Sequence, residues 1–344
     1  MIYFNNDYCE GAHPKVLEKL IATNLEQTVG YGEDPYCFKA AQMIKEKCRR
    51  SDVDVHFLVG GTQTNLTLIS AVLRPHQGVV TAATGHINVH EGGAIESTGH
   101  KVLALPSLDG KLTAAQIQQV YDDHYHDENY EHTVQPKLVY ISNPTEIGTI
   151  YSKAELTALH ETCRKNDLIL YLDGARLGYA LCAQDNDLDL PAIAQLCDAF
   201  YIGATKIGAL FGEALVICNQ RLKPDFRYII KQKGGMLAKG RLLGVQFIAL
   251  FEDNLYFDMA SHANQMALLI KAACSQKGYE FLIPSTTNQQ FPIIPNEVLE
   301  RLKEDYVYSF WQKIDDHMSA VRFCTSWATQ LNNVQQLIAD IEKN

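Results

Sequence analysis

Leu168-Ile169-Leu170-Tyr171-Leu172-Asp173-Gly174-Ala175-Arg176 decides the fold. Its apolar residues follow one another without alternation, so they read as a strand buried on both faces, the kind found in parallel sheets covered by helices. The acid that closes the run stands beyond the carboxyl end of that strand, where such sheets present their ligands. Further short apolar, β-branched runs recur at 55–59, 79–81, 102–105, 138–141, 200–202 and 214–218, with helical patterns between them. The alternation predicts an α/β large domain built on a mostly parallel seven-stranded sheet.

Around that sheet, helices are expected at 14–23 and at 113–121, where a capping Thr113 precedes Gln116. An acidic stretch, 122–132, carries His124, His126 and His132 and reads as a solvated loop. After Gly240 the pattern changes to a long helical stretch, 242–277. Short proline-punctuated strands follow near 281–283 and 290–294, then a strand at 321–324 and a helix from Asn333. This reads as a small C-terminal α+β domain. The expected division gives 12–244 to the large domain, with 1–11 and 245–344 forming the small one.

The chain has 344 residues, is 47% hydrophobic and carries a formal net charge of -10. That is enough apolar matter for a large core, and the acid balance argues against a nucleic-acid footprint or a polybasic membrane patch. Small-molecule chemistry is the better expectation. The nine cysteines form no Cys-x-x-Cys pair and read as reduced thiols of a cytoplasmic protein. No signal peptide or membrane-spanning run is visible, which fits a soluble, cytosolic chain.

The chemistry lies in two residues read together. Asp173 ends a buried strand, and Lys206, in Ala204-Thr205-Lys206-Ile207-Gly208, follows the next one. An acid and an amine so placed suit pyridoxal 5'-phosphate: the carboxylate keeps the pyridine nitrogen protonated and the amine holds the aldehyde as an imine. Gly60-Gly61-Thr62 opens a helix after the strand at 55–59, so its N–H groups and the Thr62 hydroxyl suit a phosphate, although a strand-to-helix turn needs small residues in any case. Arg176 reads either as a partner for Asp173 or as a cation for a substrate carboxylate. His86 suits stacking on a pyridine face. It stands four residues from His90, as in zinc sites, but no third ligand is evident and Gly92-Gly93 would interrupt such a helix, so no metal is expected.

In order along nearly the whole chain, Asn6-Asp7, Tyr31-Gly32-Glu33-Asp34-Pro35, Gly61-Thr62 with Asn65, His86 with Glu91, His132, Asp173-Gly174-Ala175-Arg176-Leu177, Thr205-Lys206, Gly234-Gly235-Met236 and Val321-Arg322 resemble the threonine aldolase family, of the low-specificity L-threonine type, within the pyridoxal-phosphate β-eliminating lyases. The resemblance implies an aspartate-aminotransferase-like (PLP fold type I) large domain. It implies Lys206 as the imine lysine, Asp173 under the pyridine nitrogen, His86 on the ring, and Gly61, Thr62 and Thr205 among the cofactor-binding residues. Arg176 and Arg322 would handle the substrate carboxylate, with Asn6 also at the substrate. Either His132 or His86 would accept the substrate hydroxyl proton, and Tyr31 would reach a neighbouring subunit's site in a homotetramer built from dimers.

The implied reaction is cleavage of L-threonine or L-allo-threonine to glycine and an aldehyde. Other lyase, racemase or aminotransferase chemistry on a small amino acid, or a non-catalytic protein of the same fold, are the alternatives. Three positions depart from the family pattern: Asn6 replaces a common serine, Tyr171 a frequent histidine, and Leu237-Ala238 a common Arg-Gln that would contact the phosphate. Lys231, Lys233, Lys239 or Arg241 are the candidate replacements, though a lysine does not reproduce a bidentate arginine contact.

Overall fold

The structure is a computed structural model and describes residues 1–343. Its strands are, in chain order, β1 (Ile2–Tyr3), β2 (Asp54–Leu58), β3 (Gln77–Ala82), β4 (Val102–Leu105), β5 (Gln135–Ser142), β6 (Ile169–Asp173), β7 (Ala199–Gly203), β8 (Glu213–Ile217), β9 (Gln289–Gln290), β10 (Ile293–Pro295), β11 (Tyr306–Val307), β12 (Ser309–Lys313) and β13 (Met318–Cys324). The seven-stranded sheet has the order β2-β8-β7-β6-β5-β3-β4. Only β8 runs against its neighbours. This is the mostly parallel α/β sheet expected from the apolar runs.

Both faces of that sheet are covered, which explains why β6 shows no polar alternation. Leu170 and Leu172 enter one hydrophobic cluster, and Ile169 and Tyr171 enter the cluster on the other face. Glycines let the ends of β6 and β7 close on each other: a Cβ on Gly174 would lie 1.8 Å from the Tyr201 carbonyl oxygen, and one on Gly203 2.4 Å from that of Ala175. Three early helices flank the sheet. In α1 (Pro14–Ala22) and α2 (Pro35–Cys48) proline sits in the first turn; Asp34 caps α2 by accepting from Cys37 N at 2.9 Å. The third, α3 (Gly61–Val72), follows β2.

Two expectations about local structure need correction. The stretch 122–132 is not all loop, because the helix Ala114–His126 carries through its first half. Side-chain bonds four residues apart support it there: Gln118 donates to Asp122 at 2.8 Å and Gln119 to Asp123 at 2.6 Å. The stretch 242–277 is two helices, Arg241–Phe251 and Leu255–Gln276, parted by left-handed Asp253 (φ 52°) and Asn254 (φ 64°).

The division at 244/245 also falls inside a helix. Phe247, Ile248 and Phe251 pack into the core of the large sheet together with Tyr256 and Ala260, whereas Met266, Ile270 and Cys274 join a third cluster. The passage between the two cores therefore runs along the helix Leu255–Gln276. That third cluster contains Phe4, Val321, Phe323 and Val334 and lies against β10-β13-β12, with β9 on β13 and β1 paired in parallel with β11. The helix Asn296–Leu302 and strands β11 and β12 were not foreseen.

Candidate active site

The carboxyl ends of β5, β6 and β7 and the start of the reversed β8 meet at one edge of the sheet. There a cavity of about 270 Å³ is lined by Asp173, Lys206, His86, Arg176, Glu146 and Glu213, among others. Asp173 is buried and held by four donors. Tyr201 (2.6 Å) and Ala175 N (3.0 Å) reach Oδ1, and Tyr140 (2.5 Å) and Asn65 Nδ2 (3.0 Å) reach Oδ2. Burial pushes this carboxyl up, but His86 and the two phenol hydrogen bonds outweigh it, so Asp173 titrates below its ordinary value and stays ionised.

Lys206 follows β7 and lines the same cavity. Burial and the Arg176 charge lower its pKa against the opposing pull of Asp7, Asp173 and Glu213, which makes the nucleophilic neutral amine more accessible. The end of α3 beside it bears no side-chain cap, so the free N–H groups around Gly61 and Thr62 open into the cavity. An ionised acid, an amine and an uncapped helix end are the donor set that a phosphorylated pyridine aldehyde requires. The residues present fit pyridoxal phosphate.

His86 begins a short helix after β3. Its backbone N–H donates to Glu146 Oε1 at 2.9 Å, and its ring Nδ1 lies 2.8 Å from Glu91 Oε1. Asn65 Nδ2 donates to that same Glu91 oxygen at 2.7 Å, linking the histidine to the Asp173 network. His90 lies 5.6 Å from His86, ring to ring, and among the described residues no group of three His, Cys, Asp or Glu side chains could hold a metal ion.

Arg176 does not pair with Asp173. Its Nε and Nη2 bind Asp7 at 2.7 and 3.0 Å, and Asn288 donates to Asp7 at 3.0 Å. Burial opposes the guanidinium charge, but Asp7 more than offsets it and raises the Arg176 pKa. Arg176 also lines the cavity, and beyond the two N–H groups held by Asp7 it keeps both Nη1 hydrogens and the second Nη2 hydrogen, enough for an end-on grip on a carboxylate with Asp7 in place. Arg322, on β13, donates to Asn5 O at 2.7 Å and to Gln289 at 3.2 Å, while its buried Nε has no partner.

Several expected residues lie elsewhere. Asn6 turns back on its own loop, accepting from Tyr8 N at 2.9 Å, and it is Tyr8 that borders the cavity. The Thr205 hydroxyl lines the cavity but donates its one proton to Glu213 at 2.8 Å, so it has none left for a phosphate. His132 sits in an exposed turn just before the amino end of β5, the end opposite Ser142, and cannot reach this cavity within one chain. Tyr31 lines a separate cavity of about 430 Å³, with the Lys231 ammonium 4.8 Å from its ring centre.

The four candidate replacements for the missing arginine stay away as well. Arg241 is bonded to Asn24 O and Glu26 O, and Lys231, Lys233 and Lys239 do not line the site. Tyr171, in place of histidine, donates to Asn65 Oδ1 at 2.8 Å and so orients the amide that serves Asp173.

The sequence reading missed Asp7 as the partner of Arg176, the phenols of Tyr140 and Tyr201, and the acids Glu146 and Glu213. A charged residue at the margin of a buried strand was the available signal for Glu213; it directly precedes the apolar run 214–218.

Residues 6–296 match the Beta-eliminating lyase family model. The low-specificity L-threonine aldolase of Pseudomonas sp. (strain NCIMB 10558) is 32% identical, over 98% of this chain and 96% of its own. A solved structure of Leishmania major threonine aldolase is 47% identical, with a TM-score of 0.97 over 100% of this chain and 99% of that one. An aspartate aminotransferase of Thermus thermophilus, 14% identical, shares the fold with a TM-score of 0.71 over 99% of this chain and 90% of its own.

Proposed function

The chain belongs to the β-eliminating lyase family, and from that membership we propose that it is a pyridoxal phosphate-dependent aldolase. It cleaves a small β-hydroxy-α-amino acid, L-threonine or L-allo-threonine, into glycine and an aldehyde. The observation that carries this reading is the four-donor Asp173 carboxylate facing Lys206 across one cavity. Bound there, the cofactor supplies an electron sink for the pair left on Cα when the Cα–Cβ bond breaks.

The chain's own groups do the rest. Lys206 provides the amine that anchors the aldehyde carbon, and Asp173 keeps the pyridine nitrogen protonated. Gly61 and Thr62, at the positive end of α3, receive the phosphate. Arg322, with the uncommitted face of Arg176, attracts the substrate carboxylate. His86 is the proton acceptor for the β-hydroxyl: its Nδ1 is held by Glu91, which leaves Nε2 as the ring nitrogen available to the substrate.

The same reading makes the enzyme a cytoplasmic homotetramer with shared sites. The exposed Leu25 (93%), Ile21 (75%) and Phe38 (67%), and a Tyr31 that lies outside its own chain's site, support it. His132 serves catalysis only if such an assembly brings it to another chain's cavity. The decisive experiment is an absorbance spectrum of the purified protein before and after L-threonine, with aldehyde and glycine measured in the same sample. Equal amounts of the two products are expected; ammonia and an oxo acid without aldehyde would overturn the bond assignment.

A further inference from the structure

Glu213 is a buried carboxyl that none of the roles above uses. It opens β8 directly opposite Gly203, the last residue of β7, and so stands beside the turn that bears Lys206. Three hydrogen bonds tie that turn to Gly212 and Glu213, one of them to the Glu213 carboxyl itself. Thr205 Oγ1 donates to Glu213 Oε1 at 2.8 Å and accepts from Gly212 N at 3.0 Å, while Ala204 N donates to Gly212 O at 3.0 Å. Glu213 Oε2 is buried without a partner, and its residue lines the same cavity as the lysine. A carboxyl left half-satisfied costs free energy, so it calls for a compensating interaction.

We propose that Glu213 is the electrostatic partner of Lys206, a positioning acid on the wall of the same cavity whose carboxylate stabilises the ammonium when the amine is free and which takes up a proton when the amine bonds to carbon. The inference rests on the role assigned to Lys206 above. One proton moves: a neutral amine and a carboxylic acid become an ammonium and a carboxylate, and no net charge enters the cavity.

The other charges facing the pair are Asp173 and Arg176 at the end of β6 and Asp7 from the N-terminal segment. The Tyr171, Tyr201 and Tyr256 phenols around Glu213 are held neutral by burial, which raises each well above its ordinary value. Burial likewise pushes Glu213 up to about 8, against the Thr205 hydrogen bond and the Lys206 charge, while burial lowers Lys206. Opposed shifts of this kind bring a donor and an acceptor towards equal proton affinity.

The test is the pH dependence of Lys206 acylation in the cofactor-free full chain, read by mass spectrometry, for the native protein and Glu213→Gln. Glutamine keeps an oxygen for Thr205, so a purely structural role leaves the midpoint in place. Loss of the carboxylate is expected to lower the midpoint by about one pH unit or more. An unchanged midpoint overturns the proposal. Should Glu213→Gln fail to fold, Thr205→Val removes the hydrogen bond that favours the Glu213 anion; a smaller downward shift then supports the proposal and no shift overturns it. The pH titration of the bound cofactor's absorbance should move the same way. A protein with no cofactor band at all defeats the lyase reading instead, and the acylation midpoint still decides the role of Glu213.

Discussion

Glu91 Oε1 lies 2.8 Å from His86 Nδ1 and accepts from Asn65 at 2.7 Å, so the carboxylate that sets the histidine tautomer is itself fixed by the amide that serves Asp173. Removing it should free the ring to take the wrong tautomer or rotate. Glu91→Leu is expected to lower kcat about 10²-fold, within the usual range for general base catalysis, with little change in cofactor absorbance. Steady-state aldehyde release beside the spectrum checks it; an unaltered kcat would show that His86 is not the base.

Asp7 and Arg176 form a buried bidentate pair, and Asp7 is held in place by Asn288. Asp7→Asn leaves the guanidinium buried beside a neutral amide, so a loss of about 3–5 kcal/mol in unfolding free energy is expected. Because Arg176 is then free to move, KM for threonine should change as well. Denaturant titration measures the first effect and initial rates the second; a stability within error of the native protein would mean that the pair contributes no more than its geometry.

Asp173 is the acid on which the cofactor's electronics depend, and Tyr140 supplies one of its four donors at 2.5 Å. Tyr140→Phe keeps the ring in its buried slot and removes only the hydroxyl. A hydrogen bond to a charged group contributes about 1.5–3 kcal/mol, so the variant's unfolding free energy should fall by about that amount. Denaturant titration tests this, and a stability within error of the native protein would show that the remaining three donors suffice.

The fold was legible because its central strands are buried on both faces: 169–172 and 214–218 carry no polar residue to blur their period, and the acid closes its strand while the lysine stands just past the next. What escaped was set by contacts distant in sequence. Asp7 meets Arg176 across 169 positions, and Asn65 meets Asp173 across 108, distances over which no local pattern reports. The division at 244/245 cuts a helix for a related reason: a helix such as Arg241–Phe251, apolar nearly all round, gives no sign of which core it serves. His132 was placed by motif order alone, and order along the chain does not say which end of β5 a residue occupies.

His56, on β2, packs 5.1 Å from the Phe226 ring and leaves its buried Nε2 without a partner. Burial chiefly lowers its pKa from 6.5 to about 4, with Arg227, Lys223 and Lys45 adding to the effect and Asp54 opposing it. Between those two values the unfolded chain holds a proton that the folded chain lacks, so this residue's contribution to stability is whole above about pH 6.5 and is lost as the pH falls towards about 4. The full loss is at most about 3 kcal/mol. In His56→Phe nothing at this position titrates, and the slope of unfolding free energy against pH across that window should flatten by the amount one proton supplies. Urea melts at several pH values decide the matter: equal slopes for the native protein and the variant would show that His56 is already protonated, or solvated, in the folded state.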